Sequence, residues 1–157
     1  MGTWGHKSFD NDSACDYVVE VIDEKGGSYL LMSTLKGVIE SGAWTQSYEA
    51  ERAVAAAELI AIARGCSAPK STMSGTPDEP DLPSLLGLTT DFFEGEVKVF
   101  CEAIHIDEID ELSKVALSAL KVVLNESELT RLWSEVGNVP WIESIQDLMR
   151  RLKASKV

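Results

Sequence analysis

The chain has 157 residues, 45% hydrophobic and 25% charged, with a formal net charge of −12. That length and mix suit one globular domain with a core of its own and exclude a disordered or fibrous chain. No apolar run approaches the ~20 residues a membrane-spanning helix needs. The opening Met1-Gly2-Thr3-Trp4-Gly5-His6-Lys7 has no apolar stretch behind a basic start, and a secretory leader is not expected. His6 stands where a myristoylation motif needs Ser or Thr. The expected location is the cytoplasm.

The charge is uneven. Residues 1–65 are net −5, residues 66–111 are net −9 from eleven acids and two bases, and residues 112–157 are net +2. Such a field repels nucleic acid and anionic membranes and draws a basic partner towards the middle of the chain. Acidity also serves solubility, which is the simpler explanation. Cys15, Cys66 and Cys101 lie far apart without CxxC spacing, which argues for buried free thiols over a disulfide framework or a zinc knuckle.

In chain order, Gly2 and Gly5 bracket Trp4, and Phe9-Asp10-Asn11-Asp12 follows, an irregular arm whose aromatics dock on the body. Asp12 suits an N-cap. Ala14, Tyr17, Val18, Val21 and Ile22 then repeat on one helical face, with Asp16, Glu20 and Asp23 on the other and Gly26-Gly27 as the stop. A second helix is predicted over about Ser28 to Ser41, with Leu31, Leu35, Val38 and Ile39 inward and Gly42 ending it. Ser47 to Arg64 is the plainest helix in the chain, closed by Gly65. Its Ala53, Ala56, Ala57 and Ala61 predict close approach to neighbouring helices.

Residues 66–83 hold four of the five prolines and predict an exposed loop between two halves of one domain. Leu82 to Phe93 suits a short helix. Glu96 to Cys101 alternates as a strand would, but a lone strand lacks a pairing partner, and helix is the expectation. From Ile106 a stripe of Ile109, Leu112, Ala116, Leu117, Leu120 and Val123 runs to Asn125. Asn125 and Glu128 have the spacing of a capping box for a helix carrying Leu129, Leu132, Trp133 and Val136. Gly137-Asn138 ends it. Pro140 suits the first turn of a last helix with Trp141, Ile145, Leu148, Met149 and Leu152 inward. Arg150, Arg151 and Lys153 complement its dipole. The expected fold is all-α, a bundle of six or seven helices with an irregular N-terminal arm, forming a single domain over residues 1–157.

The opening Met1-Gly2-Thr3-Trp4-Gly5 with Phe9-Asp10-Asn11-Asp12-Ser13-Ala14-Cys15-Asp16-Tyr17 resembles that of a bacterial domain-of-unknown-function family. Its members begin Met-Gly-x-Trp-Gly and continue Phe-x-Asn-Asp-x-Ala-x-Asp-aromatic. The likeness extends through Ala53 to Glu58, Leu129-x-x-Leu132-Trp133-x-Glu135 and Trp141-x-x-x-Ile145-x-x-Leu148. Tyr17 departs from the Trp expected there. The resemblance implies no activity, cofactor or site.

Among candidate sites, Asp12, Asp16 and Glu20 recur every fourth residue and, with Asp10, offer a divalent cation or a basic partner one acidic helix face. A calcium loop fits poorly, because Cys15 replaces the required glycine and Val21 the bidentate Glu. Trp4 and Asn11 of the opening motif join these acids as a candidate functional cluster. The simpler division makes Asp12 a cap and lets Asp10 order the arm, leaving Asp16 and Glu20 in water. His6 and His105 are the available near-neutral bases. No GxSxG, HExxH, P-loop or GxGxxG accompanies them, and Cys101 beside His105 reads as a packed thiol near a surface His. Glu58 inside the alanine face, if buried, needs a partner such as Arg64 or the Trp4 indole. Trp4, Trp44, Trp133 and Trp141 read as core and arm anchors more than a ligand cage.

Function is therefore expected to be non-enzymatic binding, without cofactor or metal, through the acids Asp78, Glu79, Asp81, Asp91, Glu94, Glu96, Asp107, Glu108, Asp110 and Glu111. The sharpest form is an immunity protein covering the basic active site of a toxin. The alternatives are a small metal-dependent hydrolase built on the N-terminal acids, and a structural homo-oligomer module.

Overall fold

The computed structural model describes residues 12–23, 27–64, 99–137 and 139–153. Their regular structure is helical throughout: α1 (Asp12–Asp23), α2 (Gly27–Ser41), a 3-10 turn (Gly42–Trp44), α3 (Ser47–Ala63), α4 (Ile106–Asn125), α5 (Glu128–Val136) and α6 (Val139–Lys153). Residues 99–103 are helical as well, which settles the described end of the ambiguous 96–101 segment as helix. The N-terminal arm, the Pro-rich stretch and Leu82 to Phe93 lie outside the described residues. The architecture is all-α.

α3 is the spine of the bundle. It packs against α1, α2, α4, α5 and α6, and its residues 53–61 are buried without a break. An amphipathic helix buries one stripe; one buried all round needs small side chains wherever a neighbour crosses. Ala53, Ala55, Ala56, Ala57 and Ala61 supply them, while Leu59 and Ile60 fill the wider gaps. The amphipathic α1, α4 and α6 contribute one face each: Ala14, Tyr17, Val18 and Val21; Ile109, Leu112, Ala116, Leu120 and Val123; Trp141, Ile145, Leu148 and Leu152. Trp133 stacks on Trp141, ring centroids 6.3 Å apart, so these two tryptophans anchor α5 to α6.

The α2–α3 and α4–α5 corners are tied together by polar groups. Buried Thr45 donates its hydroxyl to Val38 O (3.3 Å) and its carbonyl accepts from Glu128 N–H (3.0 Å). Glu128 in turn accepts the Ser47 N–H at 3.0 Å, so it caps α3 across 81 positions of sequence. The expected Asn125/Glu128 capping box is therefore corrected. Asn125 is the last residue of α4, and the N-cap of α5 is Ser127, whose Oγ accepts from Thr130 N–H (3.3 Å) and donates to Val123 O (2.6 Å). The orphan amides of two helix starts are met by two different residues.

Other local expectations shift by small amounts. α1 starts at Asp12 itself instead of using it as the residue before the helix. Pro140 is the second residue of α6, still within the turn whose amides have no intrahelical partner. Gly42 and Gly137 have φ of +53° and +96°, conformations that stop α2 and α5 and strain any side chain. Ile39 and Leu132, expected inward, are exposed, and Trp44, expected as an anchor, is 88% exposed on the 3-10 turn. Ile39 follows directly on the inward Val38, at the edge of the buried arc. Trp44 sits where the backbone has left the helical period that would have turned it in.

Candidate functional site

The acids assigned to a partner divide into two sets. Asp78, Glu79, Asp81, Asp91, Glu94 and Glu96 lie outside the described residues. Asp107, Glu108, Asp110 and Glu111 are all exposed on the first turns of α4. His105 caps that helix, its Nδ1 accepting from Asp107 N–H at 3.4 Å. Acids in a first turn suit the positive end of the helix dipole, which accounts for Asp107 and Glu108 in structural terms. Asp110 pairs with Arg64 at 3.2 Å, and the same guanidinium donates to Ser113 Oγ at 3.3 Å.

Glu108 and Glu111 differ from these. Neither carboxylate has a partner among the described residues, and both line an open groove between α2 and α4. Its volume is about 220 Å³, and Ser28, Tyr29, Met32 and Leu112 complete it. Tyr29, on the first turn of α2, is 78% exposed. The groove thus has a thioether and isobutyl floor, one aromatic wall and two carboxylates three residues apart on the other wall. Like charges at that spacing repel by roughly 0.2–0.5 kcal/mol, and a cation between them would relieve this. Tyr29 and Met32 carried no assignment in the sequence. The two glutamates were visible there, but the opposite wall comes from a helix some 80 positions earlier.

Glu58 is 1% exposed at the centre of α3 and pairs with Arg151 on α6; Trp4, the indole expected near it, lies outside the described residues. The guanidinium donates through Nη1 at 2.5 Å and Nη2 at 3.0 Å to the two carboxylate oxygens, a bidentate pairing. Asp147, one turn earlier on α6, accepts from Arg151 Nε at 2.9 Å and aims the fork. Burial acts against the charge on Arg151, but hydrogen bonding and attraction from Glu58 and then Asp147 outweigh it and hold the guanidinium above its ordinary range. Arg151 lies in the last turn of α6, as expected for the helix dipole, and also neutralises the core carboxylate. A sequence signal existed: Arg151 lies between the inward Leu148 and Leu152, four residues after an Asp. The arrangement joins α3 to α6.

A model of the domain of unknown function DUF4259 matches residues 2–144. The chain belongs to the DUF4259 family. No curated protein and no solved structure matches it.

In this DUF4259 chain the described side chains among the N-terminal acids are those of Asp16 and Glu20. Trp4, Asp10 and Asn11 fall outside the described residues, as does the Asp12 side chain. Asp16 faces solvent, and Glu20 is held by Arg52 at 2.6 Å. The Arg52 guanidinium also lies over the Tyr17 ring, 5.1 Å from its centroid. Tyr17 is fully buried, and its hydroxyl donates to Thr34 Oγ1 at 2.9 Å. Burial, only partly offset by that hydrogen bond, pushes the phenol up to about 12. The aromatic position of the opening motif is thus a packing post between α1 and α2. Among the described residues no three His, Cys, Asp or Glu side chains are grouped to hold a metal ion, and no helix is long and apolar enough to cross a membrane.

Cys101 and His105 do not form a dyad. The thiol is buried and directed at Leu59 O, 3.5 Å away. Desolvation, with a smaller contribution from Glu102, raises it to about 12, far from the thiolate a nucleophile requires. His105 stands in solvent as the cap of α4. Cys15 and Cys66 lie outside the described side chains.

Proposed function

We propose that this chain is a non-enzymatic binding domain that engages a basic protein through the acidic start of α4 and the adjoining face of α2. The observation that carries this reading is the pair Glu108 and Glu111, exposed, without a partner among the described residues and lining an amphipathic groove. Glu20, Glu58, Asp110 and Glu128, by contrast, are tied to partners within the chain. Two left open on one wall suit a cation brought by another molecule. The net charge of −12 adds long-range steering towards such a partner. The sharpest form is a bacterial, cytoplasmic immunity protein that covers the basic active site of a toxin, with the acids of residues 78–96 adding to the same field.

The test is direct binding between the purified chain and the protein encoded beside it in its own genome, followed by a protection assay in cells producing that neighbour. Binding that weakens steeply from 50 to 300 mM salt, together with protection, supports the reading. A neighbour that neither binds nor is neutralised removes the immunity form.

Exposure of Trp44, Val139 and Leu132 favours a second reading, a homo-oligomer built on those apolar side chains. Sedimentation at rising concentration separates the two, since self-association would bury them without a basic partner.

A further inference from the structure

We infer that the α2–α4 groove is a receptor for one arginine side chain of the partner protein. The inference rests on the basic-partner reading and names what the groove itself selects. Its floor, Met32 and the buried Leu112, offers apolar surface to an aliphatic stem, and its rim carries charge and an aromatic face. Long basic side chains bury their methylenes on such surface while the head stays at the polar edge. At about 220 Å³ the groove admits one side chain and not a folded segment.

Arginine fits this rim better than lysine. Glu108 and Glu111, three residues apart on α4, supply carboxylates for the several N–H donors of a planar guanidinium, and Tyr29, lining the same groove, supplies an aromatic ring of the kind on which that plane stacks. An ammonium is more strongly hydrated and cannot stack in the same way. The other exposed acids of α4 are less suited, because Asp110 is held by Arg64 and Asp107 faces His105. Within the chain, Arg52 over Tyr17 beside Glu20 already shows an arginine, an aromatic ring and a carboxylate combined.

The test titrates the full chain, labelled with nitrogen-15, with hexa-arginine and with hexa-lysine peptides, reading amide shifts and affinity. Hexa-arginine is expected to shift residues 28–32 and 108–112 and to bind about 2- to 5-fold more tightly than hexa-lysine. Glu108→Gln with Glu111→Gln should weaken it about tenfold, and Tyr29→Ala should abolish the preference for arginine. The charge-matched control, Glu135→Gln with Glu143→Gln on exposed positions of α5 and α6, should change affinity by less than about twofold. Equal loss in the control and groove variants, or equal affinity for both peptides, overturns the arginine receptor while leaving the basic-partner reading intact. Absence of binding by either peptide overturns both.

Discussion

Removing Arg151 tests the buried ion pair that joins α3 to α6. Arg151→Met keeps the stem and deletes the guanidinium, stripping two charge-assisted hydrogen bonds from a carboxylate that is 1% exposed. Each such bond contributes about 1.5–3 kcal/mol, and breaking one side of a buried pair costs about 3–5 kcal/mol. Arg151 itself is 15% exposed, so the loss should sit near the lower figure, about 3 kcal/mol. For a chain of this length that corresponds to a fall in Tm of roughly 6–12 °C. Urea unfolding monitored by circular dichroism should show a lower midpoint at unchanged slope. The double variant Glu58→Leu with Arg151→Met removes both charges and should recover to within about 1 kcal/mol of the parent. A single variant that loses less than about 1 kcal/mol would refute the argument, because Glu58 would then be satisfied without Arg151.

Further outcomes follow from other contacts. Tyr17 and Cys101 are both raised to about 12 by burial from ordinary values of 10.0 and 9.0. The folded chain holds these protons more tightly, so their stabilisation is complete below pH 9 and is lost as pH climbs towards 12, which urea midpoints across that range will show. In the same fold Cys101 should resist iodoacetamide at pH 8 and react only once the chain is unfolded, as peptide mass spectrometry can read. Glu128 is lowered from 4.5, chiefly by accepting the Ser47 N–H. Its contribution is present above pH 4.5 and lost as pH falls through the lowered value, and Glu128→Gln should flatten that acid limb. Ala57→Leu forces extra methylenes into the fully buried α3 and should cost about 1–3 kcal/mol by denaturant unfolding.

The helices were legible because each outer one needs only a single apolar stripe, and the inward residues of α1, α4 and α6 repeat with helical period. α3 was legible for a different reason: its alanines announce close approach, although the stripe rule is weak there. What escaped were contacts between segments far apart in sequence. Spacing suggested that Glu128 would cap its own helix with Asn125, but helix α5 starts three residues later than Asn125, and the carboxylate turns to Ser47 instead. The pairing of Arg151 with Glu58 likewise depends on how α6 crosses α3. The groove has the same origin. Its two glutamates form a local pattern, but Tyr29 and Met32 join them only through the packing of α2 on α4. Charge alone pointed to a longer acidic stretch, of which Asp107, Glu108, Asp110 and Glu111 fall within the described residues.

Hydrogen–deuterium exchange of the intact chain, with and without saturating hexa-arginine peptide, tests the binding account most directly. Slowed exchange confined to residues 28–32 and 108–112 is the predicted footprint. Protection elsewhere on the acidic surface, or none at peptide saturation, would contradict it.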